Sequence, residues 1–342
     1  MNIEVIDFHL ELIHPFRISD YTRTNTPIVF LILKSDNHFG IGECSMPPYL
    51  GESIESSRKF INKVDLQKIK VNALDDSLKY IDSVGVGNNG IKAAFDIALH
   101  DLYCKHQNIN LKSYFNANEL LMPDTSFTLG IDKLDQLKIK LKETDRFNRI
   151  KIKLGTENDK EIVKTIRRYT QKEILVDANR AWKDKYKALE MIDWLSKQNC
   201  LLVEQPMPTD SIEEMIWLKD RSALPLFADE SCKRLNDMEG IHEQFHGVNI
   251  KLMKSTGLSE AYQMINKAQS LSMKTMIGCM SESSVGILAA ASLAPFCDYA
   301  DLDSVFMVKN NPFKRPELVE GKLKLSDEIG IGYQIENNIF NI

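Results

Sequence analysis

Residues 149–155 read RIKIKLG. Ile150, Ile152 and Leu154 alternate with Lys151 and Lys153 ahead of Gly155, the period-two pattern of a strand that ends at a turn. In a strand both lysines face the same way, and two ammonium groups side by side repel each other. Runs of similar length recur on either side: SFTLGI (126–131), EILVDAN (173–179), LLVEQP (201–206), PLFADES (225–231), GVNIKLM (247–253), KTMIGCM (274–280) and YADLDS (299–304). With RIKIKLG they make eight strands over about 180 residues, separated by helix-competent stretches such as KEIVKTIRRYTQ (160–171) and KYKALEMIDWLSKQ (185–198). So regular a βα alternation predicts a closed parallel barrel, with an open doubly wound sheet as the alternative that periodicity alone leaves standing.

Upstream the rhythm differs. IEVIDFHLELI (3–13), TPIVFLILKS (26–35) and HFGIGEC (38–44) read as strands. IKAAFDIALHDLYCK (91–105) reads as an amphipathic helix with Ile91, Ala94, Phe95, Ala98, Leu99 and Leu102 on one stripe. The N-terminal third is therefore expected to be an α+β unit. GVGNNG (85–90) matches GxGxxG formally, but the preceding LKYIDSV is a poor first Rossmann strand and no ribose-binding acid follows at the right distance. A glycine turn entering a helix is the better reading.

At 342 residues, with 43% hydrophobic and 27% charged residues, the chain has the composition of a soluble globular protein. A formal net charge of −5 gives no basic surface for nucleic acid or an anionic membrane. The N-terminus lacks a signal-peptide pattern, and the longest apolar stretch (285–297) is broken by Pro295 and too short to span a bilayer. The six cysteines are scattered without a CxxC pair, which predicts reduced thiols and a cytoplasmic location. The seven histidines form no zinc motif.

In a parallel barrel the reactive groups come from the C-terminal ends of the strands. Those ends carry Lys151 and Lys153, then Asp177, Glu204 and Asp229 on three successive strands, then Lys251, and finally Asp301 and Asp303. A lone acid at a strand end is usually a turn or helix cap. Three at matching positions form an oxygen-only ligand set suited to Mg²⁺ with positions left open for substrate. The second and sixth barrel strands face each other across the mouth, so the lysines on RIKIKLG and Lys251 flank the metal acids. That constellation suits proton abstraction beside a carboxylate: one lysine takes the α-proton, the metal holds the enediolate, and the opposite lysine reprotonates the other face. A lysine base must be neutral, and Lys151 beside Lys153 together with a nearby cation is expected to disfavour its protonated form. Lys254, three residues after Lys251, is expected on the opposite strand face, reaching solvent or capping a loop.

The order KIK, DAN, EQP, ADES and NIKLMK resembles the enolase superfamily and its muconate lactonizing enzyme subgroup, over nearly the whole chain including GIGECSMPP (40–48). The later GCMSES (278–283) and DLD (301–303) resemble more narrowly the dipeptide epimerases, such as the L-Ala-D/L-Glu epimerases. The resemblance implies an α/β fold: a (β/α)7β TIM-like barrel over 123–312, capped by an α+β domain at 1–122 joined by the tail 313–342. It implies Asp177, Glu204 and Asp229 as ligands of one Mg²⁺, with Lys153 and Lys251 as the acid/base pair. Lys151 would tune Lys153 and contact the substrate carboxylate, while Asp301 and Asp303 would receive the dipeptide ammonium.

Substrate choice in that family depends on capping loops, here around 17–25 and 46–53. Arg23 in RISDYTRTN is the candidate for gripping a glutamate side chain, with Arg17 in reserve; Glu52 would instead favour a cationic side chain. Thr128 and Glu282 are further pocket candidates. Thr256 stands where the family pattern has glycine. The resemblance thus implies a Mg²⁺-dependent dipeptide epimerase of cell-wall peptides, working by two-lysine proton transfer. The alternatives are an o-succinylbenzoate synthase or muconate-type cycloisomerase on the same scaffold, and a non-catalytic protein that keeps the fold. The expected partners are a small dipeptide and copies of the same chain in a homo-oligomer, with no nucleic acid and no membrane.

Overall fold

The first unit is built on a three-stranded antiparallel meander, β1 (Asn2–Arg17), β2 (Thr22–Ser35) and β3 (His38–Ser45). In this computed structural model, residues 1–18, 21–117, 121–337 and 339–340 are described; positions 19 and 20 of the loop 17–25, and the last two of the tail, lie outside them. Against the meander lies the helix Asn89–Gln107. Two glycines of β3 permit the close approach: a Cβ on Gly40 would fall 2.1 Å from the Ala98 carbonyl oxygen, and one on Gly42 1.8 Å from that of Ala94.

The spacing predicts a single apolar stripe on that helix, but every residue from Gly90 to Leu102 is buried. Ala94, Phe95, Ala98, Leu99 and Leu102 face the core of the first unit, while Ala93, Ile97 and Cys104 join the larger core that runs into the barrel. A helix covered on both sides is apolar nearly all round, which blurs the period the sequence shows. GVGNNG ends in the turn that starts this helix, with Gly87 at φ 69° and Asn88 at φ 54°.

The second unit is an eight-stranded parallel sheet. Its strands are β4 (Ser126–Leu129), β5 (Arg149–Lys153), β6 (Glu173–Asp177), β7 (Cys200–Glu204), β8 (Leu226–Ala228), β9 (Gly247–Lys251), β10 (Lys274–Gly278) and β11 (Tyr299–Asp301). Each pairs with the next in chain order. A parallel bridge between Thr125 and Ala300 joins the ends, so the sheet closes. The eight runs read from the sequence are these eight strands. Helices such as Asp159–Arg167, Lys185–Ser196 and Leu258–Ser270 pack outside. The apolar stretch read at 285–297 holds the helix Ser284–Ala291, buried along its whole length. No described helix is long and apolar enough to cross a membrane.

After the barrel the chain returns to the first unit. Phe313 and Phe340 meet the Phe30 ring edge to face, with centroids 5.6 and 5.3 Å away. Buried Asp101 accepts from Ile331 N at 2.9 Å and from the Tyr333 hydroxyl at 2.8 Å. All six cysteines are free thiols.

Candidate active site

Strand register assembles the site. Lys153 pairs with Asp177, and Asp177 with Glu204, so three functional side chains leave neighbouring strands at one level. Asp229 follows the last residue of β8, and across the mouth Lys251 pairs with Gly278, which pairs with Asp301. The alternation of RIKIK turns both lysines inward, Lys151 one layer deeper than Lys153.

The acids and bases are packed as alternating charges. Lys151 Nζ lies 2.7 Å from Asp301 Oδ2, 2.8 Å from Glu204 Oε2 and 3.3 Å from Asp177 Oδ2. Lys153 Nζ lies 2.5 Å from Asp177 Oδ2, and Lys251 Nζ 2.7 Å from Asp229 Oδ2. Burial opposes the charge on Lys151, but Asp301, Glu204 and Asp177 outweigh it and hold the ammonium well above the usual lysine range. Burial likewise opposes the charge on Lys251, and Asp229 outweighs it. At Lys151 and Lys251 the neighbouring carboxylates, rather than a neighbouring lysine, set the hold on the proton.

Asp177, Glu204 and Asp229 are all buried, and each offers an oxygen within 4.8 Å of the others. Burial pushes the Glu204 carboxyl up to about 8, and Asp177 adds to the push. Burial also works against the charge on Asp177, yet Lys153 and Lys151 hold it down at about 2. Convergent carboxylate oxygens in a buried mouth, one of them strained toward its neutral form by its neighbours, fit a hard divalent cation.

Several groups that brace these acids escaped the sequence reading. Asn249 Nδ2 donates to Glu204 Oε1 at 2.9 Å, and Gly278 leaves it room, since a Cβ there would meet Asn249 Oδ1 at 2.4 Å. Gln205, fully buried, accepts from Asp229 N at 3.0 Å and Ser231 N at 3.1 Å through Oε1. Its Nε2 donates to Met207 O and to Ser231 Oγ. Just past two of the strands that carry these acids, Asn179, Arg180 and Gln205 have φ of 43°, 68° and 36°, a concentration of left-handed backbone beside the acid cluster.

Lys254 corrects an expectation. β9 stops at Lys251 and the chain turns at once, with Lys254 N and Ser255 N both donating to Lys251 O. The turn swings Lys254 inward, where it is 1% exposed and donates to Asp229 Oδ1 at 2.6 Å and to the carbonyls of Asp229, Asn249 and Cys232. Thr256 sits in the same turn at φ 59°, the conformation for which glycine is the ordinary choice.

One cavity gathers Lys151, Lys153, Lys251, Asp229, Asp301, Asp303, Thr128 and Arg23, roofed by the first unit. Asp301 is committed, its Oδ2 to Lys151 at 2.7 Å and its Oδ1 to Ser126 Oγ at 2.6 Å. Asp303 accepts from Thr128 N at 2.5 Å through Oδ2. Burial and then the Asp301 charge push the Asp303 carboxyl up to about 7. Arg23 donates from Nη2 to Ser281 Oγ at 2.8 Å and lies over the Phe16 ring, while its buried Nε and Nη1 have no partner.

The other expectations fall elsewhere. The Arg17 side chain is exposed, and its backbone oxygen accepts from Ile131 N. Glu52 turns away to accept from Gly90 N at the start of the helix Asn89–Gln107, because that N-terminus lacks a side-chain cap of its own. Glu282 folds back behind the cavity wall, accepting from Met280 N at 2.7 Å, and burial lifts its carboxyl to about 8. The wall facing the cavity is instead Cys279, Met280 and Ser281, with Tyr21 and Tyr49 from the first unit. Tyr49 lies inside the loop 46–53 that the sequence marked, but an apolar or aromatic wall residue carries no signal to set it apart from core.

Comparison with known proteins decides the lineage. Residues 2–114 match the mandelate racemase/muconate lactonizing enzyme N-terminal domain, and residues 136–339 the enolase C-terminal domain-like family. The chain belongs to the enolase superfamily. Within the superfamily it is 43% identical to the L-Ala-D/L-Glu epimerase of Bacteroides thetaiotaomicron, over 97% of this chain and 87% of that protein. The dipeptide epimerase of Cytophaga hutchinsonii, solved with Mg and D-Ala-L-Val, superposes with a TM-score of 0.91 at 26% identity, covering 98% and 96% of the two chains. That of Enterococcus faecalis, solved with Mg and L-Leu-L-Tyr, gives 0.88 at 28% identity, covering 97% and 98%.

Proposed function

We propose that this enolase-superfamily chain is a Mg²⁺-dependent dipeptide epimerase that inverts the α-carbon of the C-terminal residue of L-Ala-L/D-Glu. The observation that carries the reading is one cavity holding opposed lysines, the Asp301/Asp303 pair and the Arg23 guanidinium, whose buried Nε and Nη1 have no partner among the described residues. Asp303, which lines the cavity, receives the ammonium of the dipeptide, and Arg23 receives the glutamate side chain. Lys151 stands between the cation site and Asp301, placed to hold the α-carboxylate. Lys153 and Lys251 exchange the α-proton on opposite faces, one removing it and the other returning it.

Asp177, Glu204 and Asp229 would hold the Mg²⁺, which supplies Lewis-acid stabilisation of the charge that builds on the substrate carboxylate. In the same reading the capping unit spans 1–122 with the tail 313–342, the barrel spans 123–312, and the chain works as a cytoplasmic homo-oligomer on peptides from the cell wall.

The test is incubation with a set of L,L-dipeptides and Mg²⁺ in D₂O. Deuterium is expected at the α-carbon of the C-terminal residue, fastest with L-Ala-L-Glu. Absence of exchange with every dipeptide, together with turnover of a succinylbenzoate precursor, would assign the chain to the cycloisomerase-type alternative.

A further inference from the structure

The cavity wall Cys279–Ser281 belongs to the loop between β10 and the helix Ser284–Ala291, yet its firmest supports come from the other unit. Glu43 of β3 is fully buried and accepts from Ser283 N at 2.8 Å, from Ser283 Oγ at 2.5 Å and from Gly286 N at 3.2 Å. Those donors form the first turn of the helix that begins at Ser284, with Ser283 as its N-cap. Two residues on, Ser45 Oγ donates to Ser281 O at 2.6 Å. Ser281 Oγ in turn receives a hydrogen bond from Arg23 Nη2, and Tyr49 OH reaches Met280 Sδ at 2.7 Å. β3 cannot drift, because Gly40 and Gly42 seat it directly on the backbone of the helix Asn89–Gln107.

From this chain of contacts we infer that Glu43, which does not line the cavity, is a positioning residue for substrate discrimination. It caps a barrel helix from the capping unit and thereby fixes the wall on which Arg23 leans. The inference rests on the reading of Arg23 as the grip for an acidic side chain. Every hydrogen-bond partner given for the Glu43 carboxylate is a donor, and a helix N-terminus favours negative charge, although the Glu282 carboxyl is near enough to repel it. A carboxylate suits that place; a primary amide would set its own N–H groups against one of the donors. Burial lifts the Glu43 carboxyl to about 7; the three hydrogen bonds favour its charged form and offset only part of that solvation cost. Among the described residues neither Lys153 nor Lys251 is hydrogen-bonded to Glu43, Ser283 or Ser281; the electrostatic link from this wall to the lysines runs from Tyr49 and Glu282 to Lys251, so side-chain recognition is expected to respond more than proton transfer.

The test compares L-Ala-L-Glu with L-Ala-L-Leu at saturating Mg²⁺ in wild type, Glu43→Gln, Ser283→Ala and Ser283→Thr. In Glu43→Gln the ratio of kcat/KM for the acidic over the neutral dipeptide is expected to fall about tenfold, the size of one charge-assisted hydrogen bond. The loss is expected in KM for L-Ala-L-Glu, with kcat and the constants for L-Ala-L-Leu nearly unchanged. Ser283→Ala is expected to move the ratio the same way with less strain on the fold, and Ser283→Thr, which keeps the hydroxyl, to restore it. Should Glu43→Gln fail to fold, the serine pair decides. An unchanged ratio, or an equal loss for both dipeptides that tracks the fall in Tm, overturns the inference. A wild type with no preference for the acidic dipeptide overturns the underlying reading instead, and is seen before any variant is made.

Discussion

Asp301 and Asp303 are two residues apart with the same side chain, yet their surroundings give them different work. Asp301 is bound to Lys151 and Ser126, whereas Asp303 accepts from Thr128 and sits at about 7 because burial and Asp301 both disfavour its charge. Binding an ammonium requires Asp303 ionised, so affinity for a dipeptide is expected to rise as pH climbs through about 7. It should fall again above about 8 as the dipeptide's α-amino group loses its proton. The pH profile of kcat/KM for L-Ala-L-Glu checks this. Asp303→Asn is expected to flatten the rising limb and to raise KM by about 10- to 100-fold, the range of a hydrogen bond between charged groups. The lysines separate by face rather than by pH. Lys153→Ala and Lys251→Ala should each abolish α-deuterium exchange starting from one configuration of the C-terminal residue while leaving the other measurable. Loss of both exchanges in each variant would contradict a division of labour between them.

At the scale of elements, what the sequence showed clearly was whatever a strand imposes by itself. RIKIKLG is legible because alternation fixes direction: whichever way Lys153 points, Lys151 points too. Asp177, Glu204 and Asp229 are legible because each ends an apolar run. Lys254 was misread because its direction depends on where β9 stops, and a turn that folds back on Lys251 O leaves no mark in the spacing of lysines. Glu52 was misread for a related reason, since its partner, Gly90 N, is remote in the chain and is supplied only when two elements meet. The same kind of meeting sets a strict steric limit at β3. Ala94 O would lie 1.8 Å from a Cβ on Gly42, with backbone rather than a flexible side chain in the way. Gly42→Ala is therefore expected to cost about 3 kcal/mol or more, read as a drop of several degrees in Tm. An unchanged Tm would mean that the helix and β3 can separate at no cost.

For the whole molecule, the barrel was readable because eight strands repeat one physical unit, while the capping unit was readable only in outline because its central helix is buried on both sides and its tail arrives from the other end of the chain. That arrangement concentrates charge where the two units meet. Lys151, Lys153, Lys251 and Lys254 interleave there with Asp177, Glu204, Asp229 and Asp301, nearly all shielded from water. Lys153 and Lys251 are paired to two of the acids that would hold a cation, so seating the cation and freeing these lysines for substrate are a single event. The binding energy would then be a difference, cation–carboxylate attraction less the ion pairs given up, and would reach the folded chain alone because the three acids converge only in the closed barrel. Mg²⁺ at a hundred times its Kd is expected to stabilise the fold by about 2.7 kcal/mol, and EDTA to remove that increment. Glu204→Gln leaves the barrel's shape but deletes one of the three charges, so its Tm should barely respond to Mg²⁺ even where its metal-free Tm equals or exceeds that of wild type. A Mg²⁺-dependent rise in Tm that survives in Glu204→Gln would place the stabilising cation away from these three acids.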